Sequence, residues 1–66
     1  METKLVRIHD LIVGDIVIAY NTQIKIIERK YNMFEGSLFI HGKGKDGNNL
    51  YHEISFKENF TYNKLL

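Results

Sequence analysis

The amino-acid sequence predicts a small all-β domain, and three observations support this fold class. Apolar and polar residues alternate with a period of two along several short segments that are rich in Val, Ile, Tyr and Phe. Turn signals containing glycine or asparagine separate these segments, and proline is absent. The chain has 66 residues, which is enough for one domain, residues 1–66, and for no more than one.

The first half of the chain contains three predicted strands. Residues 3–8 and 15–20 are short and rich in β-branched residues, as strands are. Gly14 precedes the second segment and is a natural position for a positive φ, which allows a sharp turn into the strand. Residues 21–22 then separate that strand from residues 23–29, which indicates a hairpin.

A helix is the competing interpretation of residues 23–34. Ile24, Ile27 and Tyr31 fall at helical spacing. The Ile-rich composition and the lack of capping residues favour a strand. A short helix at residues 27–34 is therefore the chief alternative to an all-strand chain.

The second half of the chain contains a stronger hairpin signal. Residues 37–41 and 50–56 have strand composition and flank a loop with an Asp-Gly pair at positions 46–47. Asp-Gly between two such segments is among the strongest short-range indications of a β-hairpin. Residues 57–59 form a predicted turn before a last short strand at residues 60–63.

Two registers compete for this hairpin. A two-residue turn would place His41 opposite His52. A three-residue turn that ends with Gly47 at a bulge would place Leu38 opposite Ile54, and this second register separates apolar from polar residues better. It predicts an inward set of Leu38, Ile40, Leu50, Ile54 and Phe56, and an outward set of Phe39, His41, Tyr51 and Glu53.

Residues 11–17, Leu-Ile-Val-Gly-Asp-Ile-Val, resemble the Leu-x-x-Gly-Asp-x-Val segment that recurs in SH3-like small barrels. In such barrels the Leu and Val pack inward and the Gly-Asp pair turns the chain. The resemblance implies a small SH3-like barrel of about five strongly bent antiparallel strands. It implies no particular function, because these barrels bind DNA, RNA, peptides and small ligands alike.

The composition excludes several classes of protein. Nine basic and eight acidic side chains leave a net charge of +1, far below the excess that non-specific duplex binders use. No apolar run approaches the ~20 residues that span a bilayer, and the N-terminal residues show no secretion-signal pattern. The absence of cysteine leaves neither a disulfide nor a thiolate metal site. We therefore expect a cytoplasmic protein without membrane association and without a cofactor.

The sequence predicts no catalytic or metal site. The acidic residues follow no pattern that specifies an acid–base pair, and so short a chain offers little cleft in which to exclude water. Zinc requires three or four ligands, and His9, His41 and His52 follow no compact ligand spacing. We therefore expect that the protein is not an enzyme.

Residues 42–47, Gly-Lys-Gly-Lys-Asp-Gly, are a candidate anion-binding loop. Glycines allow backbone amides to approach an anion, and two lysines add charge that suits phosphate groups. A flexible hairpin tip kept soluble by its lysines explains the same residues. The Ser or Thr and the helix of a P-loop are absent.

The outward aromatic residues are typical of proteins that bind nucleotides or single strands, because rings stack on bases while cations contact phosphates. In this hypothesis Phe39 or Tyr51 stacks on a base, and Lys43, Lys45 and Arg7 bind phosphate. The complete set of candidate ligand-binding residues is Arg7, Phe39, His41, Lys43, Lys45 and Tyr51.

The sequence therefore predicts a non-catalytic binding module for a nucleotide or nucleic acid. A variant of this hypothesis sequesters a signalling nucleotide between subunits. The alternative is a protein interaction module, such as an adaptor or a small phage-type inhibitor of a host protein. Residues 16–19 are apolar on both faces of their strand, so both faces must be covered, either by barrel closure or by another chain. We expect a homo-oligomer, most simply a symmetric dimer.

Overall fold

The computed structural model describes residues 2–66, which form one antiparallel sheet of six strands. A single turn of 3-10 helix, Ile8–Asp10, follows the first strand, and the described chain contains no helix long and apolar enough to cross a membrane. The all-β prediction is confirmed, with six strands where about five were expected. The strands are β1 (Thr3–Arg7), β2 (Ile16–Ala19), β3 (Thr22–Asn32), β4 (Ser37–Gly44), β5 (Asn49–Ser55) and β6 (Thr61–Leu65).

The strand order is β1-β6-β2-β3-β4-β5, so β1 and β5 are the two edges of the sheet. No ladder joins β1 to β5 among residues 2–66, and backbone pairing therefore does not close the sheet into the expected barrel. The sheet is nevertheless strongly curled. His52 of β5 hydrogen-bonds through Nδ1 to the Tyr62 hydroxyl of β6 at 2.7 Å, although three strands separate β5 from β6 within the sheet.

The turn before β2 has the conformation that its glycine predicts. Gly14 has a φ of +102°, and the Asp15 carboxylate accepts a hydrogen bond from the Ile12 amide at 3.0 Å. Leu11 and Val17, on either side of this turn, are both fully buried. The turn therefore holds two core residues in place while the chain reverses between them.

The turn between β2 and β3 lies one residue earlier than predicted. Ala19 pairs with Thr22, and the two residues between them, Tyr20 and Asn21, both have positive φ, +53° and +58°. Positive φ at both central positions is the geometry of a type I′ hairpin turn. Tyr20 falls within the predicted strand at residues 15–20. Aromatic residues favour strands, but the turn geometry overrides that preference here.

Residues 22–32 form one long strand, so the helical alternative is wrong. A β-bulge interrupts the pairing of β3 with β4 between Ile26 and Glu28. The extra residue, Ile27, shifts the alternation of faces by one position, because a bulge places two residues opposite one. The helical spacing of Ile24, Ile27 and Tyr31 therefore does not mark a common buried face, since Ile24 is buried and Ile27 is exposed.

The hairpin of β4 and β5 has the predicted second register. Leu38 pairs with Ile54 and Ile40 pairs with His52. The predicted inward residues are buried, and Phe56 packs partly buried against them. The buried apolar side chains of the described chain are Ile8, Leu11, Val17, Ile24, Ile26, Leu38, Ile40, Leu50 and Ile54.

The 3-10 turn ties together parts of the sheet that are distant in the strand order. The Ile8 amide donates to the Phe60 carbonyl at 2.8 Å, and His9 Nε2 donates to the Phe56 carbonyl at 3.0 Å. Arg29 of β3 donates to the carbonyl of His9 at 2.7 Å. The core therefore lies inside the curl, and the opposite face of β3, β4 and β5 remains exposed to solvent.

Candidate nucleic-acid interface

The convex surface of β3, β4 and β5, which we call the outer face, carries aromatic and charged side chains in rows across the strands. The rows follow from the register, because residues paired across antiparallel strands point to the same side. From Phe39 towards Gly44 along β4, two rows with aromatic side chains are followed by one basic row. The three rows are Lys30-Phe39-Glu53, Glu28-His41-Tyr51 and Lys25-Lys43-Asn49.

Three rings on the outer face form an aromatic cluster, Phe39, His41 and Tyr51. Tyr51 stacks on His41 with ring centroids 4.4 Å apart and planes inclined by 15°, and on Phe39 at 6.3 Å and 25°. A hydrogen bond of 2.9 Å between His41 Nε2 and Asn49 Oδ1 fixes the imidazole. Tyr51 is 63% exposed. Nearly parallel, accessible rings of this kind are suited to stacking on further planar groups.

Three lysines gather at the other end of the outer face. Lys25 and Lys43 are cross-strand partners, and Lys45 follows in the turn after β4. Like charges that face each other directly across strands repel each other. Within residues 2–66, none of the three lysines has an ion-pair partner. By contrast, Lys30 in the first row is paired with Glu28 at 3.3 Å.

The three lysines surround a groove of about 310 Å³ whose apolar walls include Ile16 and Ile27. Ile27 is the extra residue of the β3 bulge, and the bulge turns its side chain out to solvent. The groove therefore combines an apolar floor with a basic rim. We call it the lysine groove.

The glycines at positions 42 and 44 do not form the predicted anion-binding loop. Both lie within β4, where Gly42 pairs with Ile26 and with Leu50. A Cβ atom on Gly42 would overlap Cγ2 of Ile24, and the Gly44 amide already donates to the Asn48 carbonyl at 2.8 Å. These glycines therefore lie in the strand, where they allow close packing over the core.

The predicted site residues separate into two groups. The structure brings Phe39, His41, Lys43 and Tyr51 together on the outer face, and Lys45 borders the same surface. Arg7 does not join them. It lies on β1, the opposite edge strand, where its Nε is 3.1 Å from Oδ2 of Asp10.

Lys25 is the functional candidate that the sequence did not reveal. Its alternation with the buried Ile24 and Ile26 places it on the outside of β3, which the sequence pattern does show. Its position beside Lys43 depends on the register of β3 with β4, which the bulge shifts. Strand alternation combined with a known bulge would have identified it.

His52 lies on the inner face and does not belong to the interface. Its ring makes edge contacts with Phe60 and Tyr62 at 4.6 Å and 5.7 Å between centroids. Burial lowers the pKa of His52 below its ordinary value, and the nearby Glu58 carboxylate opposes that change. Burial likewise raises the pKa of Tyr62, with a further contribution from Tyr20. His41 and His52 thus point to opposite faces, and the register that would bring them together is wrong.

Comparison with known proteins returned no match to a protein-family model, to a curated protein or to a solved structure. Within the described residues, no three His, Asp or Glu side chains cluster closely enough to hold a metal ion. The assignment of a function to the outer face therefore rests on its own residues and their geometry.

Proposed function

We propose that this protein binds short single-stranded nucleic acid across the outer face of β3, β4 and β5. The observation that supports this function is the stacked aromatic cluster on one sheet surface, next to lysines that have no acidic partner within residues 2–66. Bases stack on exposed rings whatever their sequence, and cations beside the rings neutralise the phosphates. Tyr51 is the principal stacking residue because its ring is the most exposed of the three.

The length of the surface favours an oligonucleotide over a single nucleotide. Phe39 and Lys45 lie six positions apart along one nearly continuous strand, which corresponds to roughly 20 Å. One nucleotide would occupy only part of this distance, whereas a short strand places bases on the rings and phosphates at the lysines. The net charge of +1 provides little of the long-range attraction that duplex binding requires.

Fluorescence anisotropy with a labelled oligothymidylate at low salt tests this proposal. We expect Tyr51→Ser to weaken binding by roughly 10- to 100-fold, because stacking contributes about 1–3 kcal/mol per base. Lys43→Gln should weaken binding and reduce the salt slope by ~0.7, because a lost phosphate contact releases fewer counterions.

Arg7→Gln is the matched control, since it removes one positive charge from the opposite edge strand. The Arg7→Gln variant should bind the oligothymidylate with the same affinity and the same salt slope as the unchanged protein. Absence of binding at low salt, or equal affinity of the Tyr51→Ser variant and the unchanged protein, would contradict the proposed function.

A further inference from the structure

The turn between β3 and β4 projects an apolar pair into solvent. Residues 33–36, which we call the hairpin tip, carry Met33 at 77% exposure and Phe34 at 99% exposure, followed by the exposed Glu35. The Glu35 amide donates to Oδ1 of Asn32 at 3.1 Å, so the tip has a defined turn. Large apolar side chains presented together at a protruding turn are a feature of contact surfaces.

The hairpin tip and the lysine groove are complementary in chemistry. The tip offers an aromatic side chain next to a carboxylate. The groove offers apolar walls, Ile16 and Ile27, beneath a rim of three lysines that have no acidic partner in the described chain. A volume of about 310 Å³ accommodates one aromatic side chain.

We propose that the hairpin tip of one copy of this protein inserts into the lysine groove of a second copy. Phe34 packs between Ile16 and Ile27, and the Glu35 carboxylate meets the lysine rim. Burial of an aromatic anchor in a pocket provides the affinity, and the charge pair sets the orientation.

The contact must be made between two chains, because the tip and the groove lie at opposite ends of the same hairpin. Phe34, in the turn after β3, follows Lys25 by nine residues, most of them in the extended strand, so the separation is roughly 30 Å. Two copies whose β3–β4 hairpins run antiparallel place each tip at the groove of the other. Both contacts then form at once, which gives a closed two-fold dimer.

This inference stands independently of the proposed nucleic-acid binding, although both use Lys43 and Lys45. The two occupants therefore compete for the groove, and an oligonucleotide should convert dimers into monomers. Sedimentation of the protein alone measures self-association. Anisotropy at protein concentrations below the dimer range measures oligonucleotide binding, so failure of one proposal is distinguishable from failure of the other.

Analytical ultracentrifugation over a range of concentrations tests the dimer. We expect the mass to rise from 7.8 kDa towards twice that value and then to level off. Phe34→Ser should weaken association by about 30-fold, as loss of an aromatic anchor does. Glu35→Lys should also weaken it, and combining Glu35→Lys with Lys43→Glu should restore much of the loss.

Tyr20→Asn is the control, because it removes an equally prominent exposed ring at a different turn and suits the positive φ at that position. It should leave the association constant unchanged. Far-ultraviolet circular dichroism verifies that each variant is folded. A protein that stays at 7.8 kDa throughout, or a Phe34→Ser variant that associates as the unchanged protein does, overturns the proposal.

Discussion

Neighbouring residues of β5 have opposite environments. Tyr51 points outward and stacks on His41, whereas His52 points inward and hydrogen-bonds to Tyr62. The strand alternation alone produces this difference, because successive side chains project to opposite faces. The inward position removes His52 from the proposed interface, and burial there lowers the pKa of its imidazole.

The lowered pKa of His52 predicts that the protein is less stable in mild acid. Because the ordinary pKa of 6.5 exceeds the pKa in the folded protein, the unfolded chain takes up the proton first as the pH falls. The contribution of His52 to the free energy of unfolding should therefore be constant above pH 6.5 and should decrease as the pH falls below 6.5. Urea unfolding at a series of pH values measures this dependence.

His52→Gln should reduce this loss of stability, because the titrating group is removed. Tyr62→Phe, which deletes only the hydroxyl that contacts the ring, should retain it. If His52→Gln and the unchanged protein show the same dependence on pH below 6.5, burial of His52 does not contribute to the acid sensitivity.

Individual residues differed in how well the sequence predicted their roles. The outward positions of Phe39, His41 and Tyr51 followed from alternation and from the register of one hairpin. The role of Gly42 did not, because its lack of a Cβ matters only where Ile24 approaches it from the core. The sequence does not distinguish a glycine whose amide binds a ligand from a glycine that allows close packing in the core.

Among the elements, the β2–β3 hairpin has a tyrosine, Tyr20, at a turn position that requires a positive φ. A type I′ turn needs positive φ at both central positions, which Asn and Gly adopt readily. Tyr20 adopts it at an energetic cost, because its Cβ crowds the backbone in this region. The turn is therefore held by the pairing of the strands on either side.

Tyr20→Asn should stabilise the protein by about 0.5–1 kcal/mol, because Asn tolerates the left-handed conformation that the turn requires. The midpoint of urea unfolding should rise with no change in the slope of the transition. Tyr20→Val provides the opposite control and should be destabilising, since a β-branched residue is least compatible with positive φ. A lower midpoint for Tyr20→Asn would show that the tyrosine ring contributes more than the turn conformation does.

The register of the β4–β5 hairpin could be predicted from the sequence, although β4 extends to Gly44, beyond the predicted strand at residues 37–41. The bulge in β3 could not be predicted. The Asp-Gly pair indicated the turn. Of the two competing registers, the one that separates apolar from polar residues pairs Leu38 with Ile54, as the structure does. In β3 the bulge at Ile27 breaks the alternation, and no residue type marks a bulge reliably. The lysine groove depends on this bulge, so the groove could not be predicted from the sequence.

At the scale of the whole molecule, the curl of the sheet separates two surfaces. The inner surface holds the core, and the outer face holds the aromatic cluster, the lysine groove and, beyond them, the hairpin tip. The all-β class followed from the period of two in the sequence. The position of β6 between β1 and β2 could not be predicted from the sequence, because pairing between strands that are distant in sequence leaves little local signal.

The most direct test of the proposed function is a nuclear magnetic resonance titration of the isotopically labelled protein with a short oligothymidylate. We predict the largest amide shifts at residues 39–45 and 49–53 and at Lys25, with little change at residues 3–7 on the opposite edge strand. Shifts concentrated on β1 and β6, or no shifts at saturating oligonucleotide, would contradict binding of nucleic acid to the outer face.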